Sequence, residues 1–267
     1  MSKPISEFNF LKIFHKFEKK GSKMRRYFVT ADTVKSDKVI DYFNYSKGKQ
    51  VRAGEDKVQV RGLPVNTSWL REASKTYNIS DDLRDYVIVP VKIFFSDLPN
   101  RNGVAFPKSE LLKFNPEYGC IGAKTWVGKP TFLEHNNSIL SNAKGVIFDT
   151  TIKPSAGMKG GLVDVINLCG FDRTKDPQLV NQILSGKLHC YSMGAYSDDF
   201  QCSVCGKLIS KGGCEHCSLT NPKFEVFNGK LGFANVINPV GFETSCVETP
   251  AFLSATTDGH HFVSEPR

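Results

Sequence analysis

Apolar positions along the chain fall mostly in short runs bounded by turn formers, the pattern of strands, and in two places at the spacing of a helix. From Tyr86 the run Tyr-Val-Ile-Val-Pro-Val-Lys-Ile-Phe-Phe is rich in β-branched and aromatic side chains, which fits a half-buried strand. Pro90 lacks an N–H and so points to an edge or a bulge within it. Further strands are predicted at 145–152, 162–168, 188–196, 231–237 and 241–247, each bounded by Gly, Pro, Asn or Asp. One helix intervenes: Asp176 caps it, Pro177 fills the first turn, Leu179, Val180, Ile183 and Leu184 form its stripe, and Gly186 ends it. The other such place is near the start. Ile5, Phe10, Leu11, Ile13, Phe14 and Phe17 fall at helical spacing with Lys12, Lys16, Lys19 and Lys20 between them, a basic amphipathic helix. Its apolar face either docks on the domain or delivers the chain to a scaffold, shell or nucleic acid. Lys20, Lys23, Arg25 and Arg26 around Gly21 then read as a linker.

Many strands and few helices predict a mainly β fold with flanking helices, an α+β chain built on a barrel or closed sheet. A length of 267 residues, 40% of them hydrophobic, allows one sizeable core with small appendages. The expected organisation is a basic N-terminal segment at 1–30, a main domain at 31–256 that includes a metal-binding insertion at 200–220, and a tail at 257–267. The net charge of +8 favours anionic partners but names none. No apolar run approaches the roughly 18 residues of a membrane span, and no secretory signal is visible, so a cytosolic protein with no membrane partner is expected.

Four of the eight cysteines fall in one short window: Cys202-Ser-Val-Cys205, eight residues, then Cys214-Glu-His-Cys217. Two Cys-x-x-Cys pairs on Gly-rich turns offer the four soft ligands that tetrahedral zinc takes, so Cys202, Cys205, Cys214 and Cys217 are expected to hold Zn2+, with His216 the alternative to Cys217. Four protein ligands leave no open position, which makes such a site structural. Cys120, Cys169, Cys190 and Cys246 are scattered and read as buried apolar thiols.

Two further residues stand where chemistry is conceivable. His135 ends an apolar stretch beside polar turn formers, where an imidazole with a reference pKa near 6.5 can act as a base. Ser192, in Leu188-His-Cys-Tyr-Ser-Met-Gly-Ala195, sits on a strand running into small residues and shares its face with Cys190 and Gly194. His189 projects to the other face and is a poor base for Ser192. Alone, each of these two residues is more often structural than catalytic.

Four motifs in order change that reading: Asp97-Leu-Pro-Asn-Arg-Asn-Gly103, Gly128-Lys-Pro130 running to Glu134-His135, Tyr191-Ser-Met-Gly194, and Phe242-Glu-Thr-Ser-Cys-Val-Glu-Thr-Pro-Ala251. This set, spanning about residues 85–256, resembles the prohead proteases of tailed phages, which are similar in turn to herpesvirus assemblin, a β-barrel surrounded by helices. The resemblance implies a serine endopeptidase that cleaves scaffold, core and major capsid proteins inside the assembling prohead in the host cytoplasm, and it suggests a homodimer. It also implies that His135 and Ser192 are catalytic and that Glu243 takes the third position, which assemblin gives to a second histidine. Asp164 and Asp149, both on apolar strands, compete with Glu243 for that role. The arginine pair that helps build assemblin's oxyanion hole has no counterpart between Thr244 and Ala255. Two alternatives are a prohead core or scaffold protein that keeps the fold without activity, and a zinc-ribbon nucleic-acid binder. The second is weak, because only Lys207 and Lys211 are basic between Cys202 and Cys217 and no aromatic lies there.

Overall fold

The computed structural model describes residues 25–32, 40–41, 57–60, 63–66, 69–155, 161–217 and 224–248. The amphipathic segment at 5–20 and the tail at 257–267 lie outside them. In chain order the strands are β1 (Arg25–Asp32), β2 (Ile40–Asp41), the pair β3 (Lys57–Val60) and β4 (Leu63–Asn66), β5 (Tyr86–Phe95), β6 (Val104–Ala105) and the pair β7 (Phe114–Asn115) and β8 (Cys120–Ile121). There follow β9 (Pro130–Leu133), β10 (Gly145–Pro154), β11 (Val163–Asp172), β12 (Cys190–Ser197), β13 (Asp199–Cys202), the pair β14 (Val226–Phe227) and β15 (Lys230–Leu231), β16 (Ala234–Ile237) and β17 (Val240–Val247). The helices are α1 (Leu70–Tyr77), α2 (Lys108–Leu112) and α3 (Pro177–Leu184).

Eight strands form one sheet in the order β1-β12-β17-β9-β10-β11-β5-β2, antiparallel except where β17 meets β9. The sheet is curled: β1 at one end approaches β5 near the other, and Asn167 on β11 donates across the hollow to Thr244 Oγ1 on β17 at 3.1 Å. No hydrogen-bonded pairing closes the two ends among the described residues, so the expected barrel is seen as a curl. Its inner face carries the main core, including Tyr191, Met193 and Ala195 of β12, Val89 and Val91 of β5, and Trp126. Strand alternation therefore turns Cys190, Ser192 and Gly194 to the outer face.

Several elements follow directly from local chemistry. The α3 helix matches its sequence signature: Asp176 Oδ1 accepts from the Leu179 N–H at 2.9 Å, Pro177 opens the first turn, and Leu179, Val180 and Ile183 are buried. Pro90 pairs with Leu168 on β11, while among the described residues β2 meets the opposite edge of β5 at Val87 and Ile88 and not at Pro90, consistent with the edge that proline demands. The α1 helix buries Leu70, Ala73 and Tyr77 against the outer face of the sheet, and the Tyr77 hydroxyl donates to the Gly128 carbonyl at 3.0 Å.

Arg25 and Arg26, expected in a linker, belong instead to β1, which runs antiparallel to β12 with Thr30 opposite Ser192. The charged pair misleads because β1 ends the sheet order, and an edge strand tolerates charge at its start. Deleting residues 1–20 is therefore expected to preserve the fold. Deletion through Asp32 strips β12 of a hydrogen-bonded neighbour and should lower the melting temperature by about 10 °C or more, since each kcal/mol is worth roughly 2–4 °C at this size. Thermal melts of the two truncations check this.

Candidate active site and metal centre

The outer face where β12 and β17 pair gathers the polar residues. Ser192 stands opposite Ser245 and Gly194 opposite Glu243 in the antiparallel register, and opposed residues share a face. The register then slips between Gly194 and Ala195, leaving Phe242 as an extra residue on β17. Such a bulge sends Phe242 and Glu243 to the same side. Both side chains lie over Gly194, where an added Cβ would come within 2.7 Å of Phe242 Cδ1 and 3.0 Å of Glu243 Cγ. The glycine of the Ser-Met-Gly motif is thus the space in which the Glu243 side chain rests.

His135 arrives from β9, which runs parallel to β17 with Leu133 beside Cys246. Past Leu133 the chain reverses: Glu134 and His135 both adopt left-handed backbone, φ 48° and 53°, and the Asn136 N–H closes the turn on the Leu133 carbonyl at 3.0 Å. Two consecutive non-glycine residues in this region are uncommon and strained by about 1–3 kcal/mol each. The Glu134 N–H bonds the Cys246 carbonyl, and Glu134 Oε1 accepts from the Glu248 N–H, so the turn is tied to the end of β17 from both sides.

The reversal brings His135 Nδ1 to 2.6 Å from Glu243 Oε1. Glu243 is fully buried, whereas the His135 side chain keeps 27% exposure. A buried carboxylate is tolerated only when its oxygens are hydrogen-bonded. Here Oε1 also accepts from Asn137 Nδ2 at 3.3 Å, and Oε2 accepts the Ser245 hydroxyl at 2.6 Å. Ser192 is likewise fully buried on this face. The expected residues therefore sort plainly: His135 and Glu243 are in contact, and Ser192 lies on the same face of the β12–β17 pair.

The competing acids are engaged elsewhere. Asp149 accepts from Lys124 Nζ at 2.6 Å, and Asp164 pairs with Lys92 and accepts the Ser155 hydroxyl. His189 precedes β12, with its Nδ1 3.2 Å from the Gly186 carbonyl. Lys129 of the Gly-Lys-Pro motif is buried, with its Nζ 5.9 Å from the Tyr118 ring centre, and burial pulls its ammonium down to about 7. That motif packs the entry to β9. Of the scattered thiols, Cys169 and Cys246 are buried and pushed up by that burial, while Cys120 and Cys190 are only half-buried. Ser245 and Asn137 escape a sequence reading, although the strand period puts residue 245 on the face of Glu243 and offers the signal for it.

The cysteine module follows β13. The Cys202 N–H bonds the Lys207 carbonyl, Gly206 turns with φ 71°, and the Val204 N–H points at Cys202 Sγ from 3.4 Å. Ligand atoms of Cys202, Cys205, Cys214 and His216 all lie within 4.8 Å of one another. This quartet differs from the expected one at its fourth member, since His216 joins it while Cys217, with Sγ 3.8 Å from Cys214 Sγ, stands as a fifth donor. The Phe227 and His216 rings meet in a T-shaped contact, centres 4.7 Å apart. The donor set fits a soft divalent metal. His216 Nδ1 is buried with no hydrogen-bond partner, and although burial opposes ionisation of Cys214, hydrogen bonds from Cys202, Cys205 and backbone N–H groups bring that thiol down to about 7.

No protein-family model and no curated protein matches this sequence. Among solved structures, the chain is similar to the capsid assembly protease gp21 of bacteriophage T4, with a TM-score of 0.42 and 13% identity over 86% of this chain and all of that one. A likeness at that level carries no functional argument. No helix among the described residues is long and apolar enough to cross a membrane.

The packing at Gly194 yields a prediction about the acid–imidazole contact. Gly194→Ala must displace Phe242 and Glu243, costing about 1–3 kcal/mol as overpacked sites do. A denaturant titration should show that loss, and NMR of the His135 imidazole should show a changed Nδ1 environment.

Proposed function

We propose that this chain is a serine endopeptidase of the prohead-maturation kind, with Ser192 as nucleophile, His135 as general base and Glu243 as the acid that orients it. The observation that carries this reading is the 2.6 Å contact between His135 Nδ1 and the buried Glu243 carboxylate, on the face that Ser192 shares. Ser192 is a diagonal neighbour of Glu243 across the two strands, a separation of about 7–8 Å that an imidazole held on the carboxylate can span. The four motifs that resemble prohead proteases supply the substrate class: scaffold, core and major capsid proteins, cleaved inside the prohead in the host cytoplasm.

In this mechanism the Nδ1–H of His135 donates to Glu243, which leaves Nε2 as the base. Ser192 Oγ attacks the peptide carbonyl carbon as Nε2 takes its proton, and Glu243 balances the imidazolium charge. The proton then passes to the leaving amine, and water repeats the sequence on the acyl-enzyme. Ser192 is fully buried, so turnover requires a rearrangement that uncovers it.

The metal module has a mechanical part. Cys202, Cys205, Cys214 and His216 would hold a zinc ion, with Cys217 in reserve, and the ion supplies no chemistry to the reaction. It would clip the segment that joins β12, bearing Ser192, to β17, bearing Glu243. The segment before β1 would serve delivery into the shell, and a homodimer is part of the same reading.

Two experiments test these readings. Co-expressed with its own scaffold and capsid proteins, the chain should cleave them, Ser192→Ala should not, and Glu243→Gln should fold yet cleave more slowly by a factor on the order of 10⁴. Failure of cleavage by the unaltered chain would favour the inactive core protein. Elemental analysis should find one zinc per chain, and Cys205→Ser or chelation should lower the melting temperature, because metal-binding energy is folding energy when the site forms only on folding.

A further inference from the structure

We infer that Ser245 is a positioning residue that fixes the Glu243 carboxylate toward His135, with Asn137 as a secondary donor. This rests on the reading of Glu243 as the acid partner of His135. The two carboxylate oxygens have separate tasks: Oε1 meets His135 Nδ1 and Asn137 Nδ2 from the loop after β9, and Oε2 meets Ser245 Oγ from its own strand. A glutamate has three side-chain torsions, and the last is broad and soft. Without a partner at Oε2, rotation about that bond swings Oε1 off the imidazole while leaving the backbone untouched.

The Ser245 hydroxyl removes this freedom at a distance of 2.6 Å, short as hydrogen bonds to an ionised acceptor are. Ser245 is itself fully buried and stands directly opposite Ser192 in the register. A hydroxyl has one proton to give, and here it goes to the carboxylate. Gly194 closes the third side, because the Glu243 side chain lies where its Cβ would be. The acid is held from its own strand, from the neighbouring strand and from the loop, all on residues outside the triad. Asn137 contributes less, since its contact is 3.3 Å and it is half-buried.

The test compares Ser245→Ala, Ser245→Thr and Asn137→Ala with the unaltered chain by two readouts. The first is the far-downfield NMR resonance of the proton between His135 Nδ1 and Glu243, which does not depend on any activity. The second is cleavage of a capsid-derived peptide, resolved into kcat and KM. Ser245→Ala should weaken or broaden the resonance and lower kcat about 10- to 100-fold, the span that outer hydrogen-bond partners carry at metal sites, with KM unchanged. Ser245→Thr, which keeps a hydroxyl, should retain most of both, and Asn137→Ala should show a smaller loss of each. An unchanged resonance and kcat in Ser245→Ala would overturn the inference. If that variant fails to fold, loss of the resonance in a folded Ser245→Thr would overturn it as well. Should the unaltered chain cleave no peptide, the protease reading falls while the resonance still decides the role of Ser245.

Discussion

A carboxylate with no exposure to water governs this site. Glu243 lies on a strand flanked by β12 and β9, and burying such a group uncompensated costs several kcal/mol. Each feature around it supplies part of the compensation or the space: the His135 and Asn137 donors at Oε1, the Ser245 donor at Oε2, the missing side chain at Gly194, and the bulge that turns Phe242 and Glu243 to one side. The left-handed turn at Glu134 and His135 belongs to the same economy, because only a sharp reversal after Leu133 carries the imidazole back to a residue its parallel strand has already passed. The strain in that turn is balanced by its ties to Cys246 and Glu248.

The sheet explains how residues far apart in sequence meet. β9 and β17 are parallel neighbours, so the end of one delivers His135 beside the strand that bears Glu243. β12 pairs with β17 on its other side and brings Ser192 to the same face. The excursion between β12 and β17 carries the cysteine module, and it is anchored at its base: β13 pairs with β16, and the Ser197 hydroxyl donates to the Asp199 carbonyl and accepts from the Ile237 N–H. The cluster of Cys202, Cys205, Cys214 and His216 begins at the end of that anchored base, where Cys202 still pairs with Ala234.

What was legible in the sequence follows the strength of each local signal. The strands beginning at Tyr86 and Gly145 and the helix at Pro177 carry long periods or explicit caps, and they stand where expected, with ends shifted by a residue or two. The α1 helix shows only Leu70, Ala73 and Tyr77 as an apolar stripe among charged residues, too thin to stand out before the sheet it covers is known. β9 has four residues, too few for a period to register. The reading of His135, Ser192 and Glu243 as one site came only from motif resemblance, since nothing local distinguishes a catalytic serine from a packed one. Which acid meets His135 was a question of register between distant strands, and a bulge of one residue at Phe242 decides how Glu243 is presented. Spacing revealed the cysteine cluster but left its fourth member open, because His216 and Cys217 are adjacent in the chain and only the fold shows His216 gathered with the thiols beside the Phe227 ring.

The central claim is that His135, oriented by Glu243, makes Ser192 nucleophilic. Intact-mass and peptide-level mass spectrometry after exposure to a fluorophosphonate measures this most directly, because the reagent bonds an activated serine oxygen and spares ordinary hydroxyls. The account predicts a single adduct on Ser192 in the unaltered chain and none in a folded His135→Ala variant. Adducts spread over other serines with Ser192 unlabelled, or equal labelling of Ser192 with and without His135, would contradict it.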